Sequence, residues 1–270
     1  MDTALLSAKF DRIGARLKFA GPPPRRARTA TAAAVSLDVR SDRRGEFFEV
    51  ALRPDAAPAI EPLDVRPGDR HLLLLVREGR EKSKFLCGHD ERHWFVAAVP
   101  EAAPVGTVAQ AMEALKPAEV RDTQARLGLR AGERNRRRNA AFVRQGEWFF
   151  LPVPDVVVDE KFVLRWEPLR RGNGGKPHWT EWLYRTGGET VYVCDRHPNG
   201  LLEDQRKRVM RATPEARGWA WRVMRRNPGV FVRGRVRHAD HATVELVGWH
   251  RVVMNTETQA RAMQDVAFLD

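Results

Sequence analysis

The sequence predicts an α+β fold built mainly from antiparallel sheets, as meanders and hairpins, with a few helices. Three observations carry this. Segments with two-residue alternation outnumber those with helical periodicity, short turns join neighbouring strands, and strand–helix–strand crossover units are scarce. The chain has 270 residues and is 43% hydrophobic, enough to bury a core without disulfide or metal staples.

Residues 21–45 read as a loose segment. Gly21-Pro22-Pro23-Pro24 breaks preceding structure, and Arg25, Arg26 and Arg28 follow. Gly45–Leu52 is the first clear strand, with Phe48, Val50 and Leu52 on one face. Prolines at 54, 58, 62 and 67 suggest a connector. A three-strand meander is expected from Leu72–Val76, Lys84–Cys87 and Trp94–Val99, with turns at Glu78-Gly79-Arg80 and Gly88-His89-Asp90-Glu91. Helices are expected at Thr107–Leu115, with Thr107 as N-cap, and at Pro117–Leu127. A hairpin over Ala140–Val143 and Glu147–Val153 turns at Gln145-Gly146.

Phe162–Trp166 is a further strand, and residues 170–177 read as a glycine-rich loop or linker. A helix or strand near Trp179–Tyr184 and a strand at Thr190–Cys194 come next. The stretch from Leu202 to Arg226 reads as mostly helical. Thr213-Pro214-Glu215 gives a start signal within it and Asn227-Pro228-Gly229 a stop. Strands at Val230–Arg237, Thr243–Val247 and Trp249–Met254 form a closing meander, with a final helix over 256–266. This suggests an N-terminal segment (1–66) with a basic, proline-rich stretch, an α+β domain (67–169) and a second α+β domain (178–270).

The net charge of +12 favours a polyanionic partner. Of 47 basic residues only 8 are Lys, and guanidinium groups pair with phosphate in a planar, bidentate way. GC-rich coding also favours Arg over Lys, but does not explain the excess over acids. Three features concentrate this charge. The first is Arg121–Arg144, centred on Arg134, Arg136, Arg137 and Arg138. The second is the expected helix after Thr213, where Arg217, Trp221 and Arg225 share a stripe flanked by Arg222 and Arg226. The third is a strand whose alternation puts Arg233, Arg235 and Arg237 on one face, with Glu245 as a neighbouring acid. The alternative for each is a solvated charged face, with Trp221 widening the buried side of its helix.

The leading expectation is a noncatalytic nucleic-acid-binding protein, with RNA preferred over DNA because exposed aromatics and Arg suit single strands. No RNA-recognition aromatic signature, GXXG loop or zinc-finger spacing is present. The second expectation is a metal-assisted or Cys/His hydrolase or nuclease using His238, Asp240, His241 and His250, with Cys194 as a further candidate. The third is an assembly component whose basic face meets an acidic protein partner.

No cofactor is expected from the leading reading. Zinc enters through Cys194 and His197 (Cys-x2-His) with His238 and His241 (His-x2-His), as two knuckles at strand ends. Turn residues bonding their own backbone are the simpler account of the same spacing. His89-Asp90-Glu91-Arg92-His93 is a further polar cluster, read as a hydrophilic hairpin tip or an acid–base site. Gly172-Asn173-Gly174-Gly175-Lys176-Pro177 lacks the phosphate-loop pattern, since proline follows the lysine.

Cys87 and Cys194 form no disulfide framework and suit a reducing, cytoplasmic setting. Residues 1–20 carry scattered charges and no apolar h-region, so no signal peptide is expected. The longest apolar run, Leu72–Val76, is far short of the ~20 residues of a membrane span, so membrane insertion is not expected.

Overall fold

A computed structural model describes residues 2–20, 35–53, 56–102, 104–170 and 176–260. The fold is mostly antiparallel sheet with five α-helices among these residues.

α1 (Thr3–Arg12) is capped by Asp2, whose side chain accepts from the Leu5 N–H. Its buried Leu6 and Phe10 face a three-stranded sheet of β1 (Leu17–Ala20), β2 (Val35–Asp42) and β3 (Gly45–Leu52). The spatial order is β1-β3-β2, with β1 parallel to β3. β2 corrects the loose reading of its residues. Val35 and Leu37 are buried against Phe48 and Val50, and this long-range pairing outweighs the weak local signal. Pro22, Pro23, Pro24, Arg25, Arg26 and Arg28 lie outside the described residues.

A four-stranded meander follows: β4 (Ala59–Arg66), β5 (His71–Glu78), β6 (Glu81–Asp90) and β7 (His93–Val99). β4 replaces the expected proline connector. It is an edge strand, and its register shifts between Pro62 and Asp64, where an edge tolerates a missing donor. The run Leu72–Val76 is apolar throughout because both faces of β5 are covered. Leu72, Leu74 and Val76 join the α1 core, while Leu73 packs with Leu86 and α2 (Val108–Ala114). β6 continues through Gly88 to Asp90, beyond the turn expected there. Thr107 and Gln110 form a reciprocal capping box at α2. α3 (Ala118–Arg126) follows, then the single turn of α4 (Ala131–Arg134).

The largest sheet has the order β10-β11-β15-β16-β9-β8. Its strands are β8 (Val143–Gln145), β9 (Trp148–Pro152), β10 (Leu164–Leu169), β11 (His178–Thr186), β15 (Gly229–Arg237) and β16 (Val244–Met254). Two strands expected after Thr243 are one continuous strand, β16, with Gly248 at φ 78° within it. Phe150, Leu169, Leu183, Val232, Val236 and Leu246 bury one face. The sheet thus takes strands from both sides of residues 171–175, which hold most of the expected glycine-rich loop and lie outside the described residues.

β12 (Glu189–Cys194), β13 (His197–Leu201) and β14 (Arg222–Arg226) make a small separate sheet beside α5 (Glu203–Ala212). The helix expected across 213–227 does not form. Thr213-Pro214 opens only a short 3-10 turn over Pro214–Gly218, and β14 then pairs with β12 from Val193↔Arg222 to Glu189↔Arg226. Of the expected final helix, residues 261–266 lie outside the described residues, and Glu257–Gln259 form a 3-10 turn. Among the described residues no helix is long and apolar enough to cross a membrane.

Candidate nucleic-acid interface and histidine cluster

The buried face of the largest sheet leaves its opposite face to a different chemistry. On β15, Val232 and Val236 point into the core, so Phe231, Arg233, Arg235 and Arg237 point outward, as the two-residue period requires. β11 turns Trp179, Trp182 and Tyr184 to the same side. The guanidinium of Arg233 lies 5.4 Å from the Trp182 ring centroid and 4.7 Å from that of Trp249. Arg165 from β10 covers Trp182 at 4.3 Å. Arg235 and Arg237 approach Trp166 at 6.0 and 5.3 Å. Trp166 and Trp179 are 39% and 42% exposed, unusually open for indoles, so ring faces remain for a ligand.

Carboxylates offset part of this charge. Arg233 pairs with Glu160 at 3.2 Å and Arg235 with Glu181 at 3.0 Å. The Arg235 hydrogen bonds hold the Glu181 carboxyl below its usual range. Arg237 has no carboxylate partner among the described residues.

The other two basic features are dispersed. Arg137 pairs with Asp90 and Glu91 in the β6–β7 turn. Arg134 donates to the Leu129 carbonyl, and Arg138 to that of Glu245, while Arg136 is exposed. The Arg217–Trp221–Arg225 stripe does not exist, because its spacing aligns only on a helix. Arg217 is on the 3-10 turn and Arg222 and Arg225 are on β14. Arg226 pairs with Glu189. Trp221 stacks on His197 with 5.8 Å between centroids, and its indole N–H donates to the Ala216 carbonyl.

The expected four-ligand zinc set is divided. Cys194 is buried in the β12–β13 hairpin and His197 packs on Trp219 and Trp221. His238 and His241 instead meet His178. Ring centroids are 4.1 Å apart for His178–His238, 4.7 Å for His238–His241 and 5.7 Å for His178–His241. One nitrogen from each ring lies within 4.8 Å of the other two, so the group could hold a metal ion. Register explains the meeting. Trp179 lies opposite Arg237, so one step along the antiparallel pair places His178 against His238. The sequence reading missed His178, whose only local mark is its place at the start of a strand after Lys176-Pro177.

His250 is outside this group. It is buried in β16 with Nδ1 3.1 Å from the Gly248 carbonyl, and burial lowers its pKa. Asp240 takes an ion pair from Lys176 at 3.0 Å, and its backbone N–H donates to His238 Nδ1. The polar cluster at 89–93 is a structural clamp as well as a turn. Glu91 accepts from the Ala242 N–H at 2.6 Å, and His93 lies 2.6 Å from Glu46. Beside it runs a cleft of about 170 Å³ whose lining includes His71, His93, Arg144, Glu147 and His241.

No protein-family model, curated protein or solved structure matches the chain.

Proposed function

We propose that the protein binds single-stranded nucleic acid, RNA in preference to DNA, on the outer face of its six-stranded sheet. The supporting observation is the interleaving of Arg165, Arg233, Arg235 and Arg237 with Trp166, Trp179, Trp182 and Trp249. Indole faces accept any base by stacking, and guanidinium groups between them meet phosphates, so this chemistry tracks a strand without reading its sequence. The sheet is a rigid platform, which lowers the ordering cost of binding.

Fluorescence anisotropy with a labelled single-stranded RNA and its DNA counterpart, over a range of salt, tests this. Affinity should fall steeply with salt, and Trp179→Ala should weaken it without loss of fold, since Trp179 is exposed. Equal affinity of wild type and Trp179→Ala, or no binding at low salt, would remove this face as the interface.

A further inference from the structure

We infer that His178, His238 and His241 form a binding site for a divalent transition-metal ion of the zinc class, independent of the nucleic-acid face. Three imidazoles suit such an ion and leave a coordination position for water or substrate.

The tautomer of His178 is set by its neighbour. Gln145 Nε2 donates to the carbonyls of Val236 at 3.3 Å and Ala242 at 2.6 Å. That orientation turns Gln145 Oε1 toward His178 Nδ1, 2.9 Å away, so Nδ1 carries the proton and donates. Nε2 of His178 is then the metal-facing atom. The amide does for this ring what a carbonyl or carboxylate does behind many metal-bound histidines.

Nε2 of His178 lies 3.6 Å from a carboxylate oxygen of Glu147. The His238 and His241 rings lie against the same His178 ring, and one nitrogen of each of the three lies within 4.8 Å of the other two. The buried Nδ1 of His241 has no hydrogen-bond partner among the described residues.

The backbone leaves space for the rings. Gly146 sits at φ 58° beneath them, and a Cβ there would lie 2.9 Å from His241 Nε2 and 3.3 Å from His178 Cε1. His238 is the ring that must adjust. Its Nδ1 accepts from the Asp240 N–H and its Nε2 faces the Lys176 carbonyl at 3.2 Å, so it ligates by exchanging those contacts for the metal.

The test uses the full chain, stripped with chelator, loaded with zinc sulfate, desalted and assayed for zinc by mass spectrometry. About one zinc per chain is expected from the three-histidine set. His241→Ala should retain less than about a tenth of it, and His197→Ala should retain it in full. Failure of the wild type to hold zinc, or full retention by His241→Ala, would overturn the site. His178 is fully buried, so its alanine variant is a poor probe of binding alone. Cobalt loading of the wild type supplies the second readout. An intense visible spectrum of low-symmetry, nitrogen-ligated cobalt is expected, and a pale hexa-aquo spectrum would overturn the proposal.

Discussion

Gln145 accepts a hydrogen bond from His178 across 2.9 Å, with both side chains buried and 33 positions apart in sequence. The same amide closes two backbone carbonyls on the other side. Gln145→Leu would therefore remove the partner of three polar groups, two of them in the buried residues Val236 and His178. A loss of about 2–4 kcal/mol is expected, since each unsatisfied group costs ~1–3 kcal/mol and relaxation recovers part. The urea midpoint measures it. Zinc affinity should drop ~10–100-fold with it, as for other groups that orient a ligand.

Arg237 and Trp179 separate charge from stacking on the outer sheet face. Trp179→Ala should cost ~1–3 kcal/mol of single-strand affinity with little change in salt slope. Arg237→Ala should lower the slope of log affinity against log salt by about 0.7, the share of one phosphate contact on a single strand. Anisotropy titrations at four or more salt concentrations give both numbers. A stability loss in either variant should be small, since both residues are exposed.

Phe150 is fully buried at the centre of the largest sheet's core, with Leu183, Val232 and Leu246 in the same cluster. Phe150→Ala should destabilise by ~3–5 kcal/mol through lost burial and the remaining cavity. Thermal or denaturant unfolding reads this, and a loss near zero would contradict the packing described.

Gly88 lies inside β6 with the His71 and Phe95 rings directly above it. An added Cβ would fall 2.6 Å from His71 and 2.8 Å from Phe95. Gly88→Ala should cost ~1–3 kcal/mol by forcing both rings aside. The decisive comparison is with Gly132→Ala, where no atom lies within reach and no such loss is expected.

Asp42 accepts hydrogen bonds from Arg16 and Lys18, which hold its carboxyl well below the usual carboxylate range. A folded pKa below the unfolded one gives stability that is full above about pH 4 and is lost as pH falls through the folded value. Asp42→Asn should therefore be less stable than wild type near neutral pH, and the difference should shrink in acid. Urea midpoints at about pH 7 and about pH 3 would show this convergence.

The elements most legible in the sequence have strong local signals. Gly45–Leu52 alternates, Leu72–Val76 is an unbroken apolar run, and Thr107 with Gln110 marks a helix start. β14 was not legible. Four of its five residues, Arg222, Val223, Met224 and Arg225, are exposed, so no alternation marks it as a strand. Its pairing with β12 decides its conformation. β4 was hidden by Pro62, which an edge position tolerates. In the candidate sites, the outward face of Arg233, Arg235 and Arg237 follows from period two alone. The indoles between them come from β10, β11 and β16, which the sequence does not align with one another.

The sequence by itself determined the sheet-rich class, the charge and the shared face of Arg233, Arg235 and Arg237, because these depend on composition and backbone period. Only the tertiary structure decided that His178, rather than Cys194 or His197, meets His238 and His241. That choice rests on which strand edges hydrogen-bond to which, and here the partners are about 60 residues apart in sequence. Each strand presents the same donors and acceptors to any neighbour. The pairing is therefore set by the burial of Leu183, Val232 and Val236 together, a property of the assembled core.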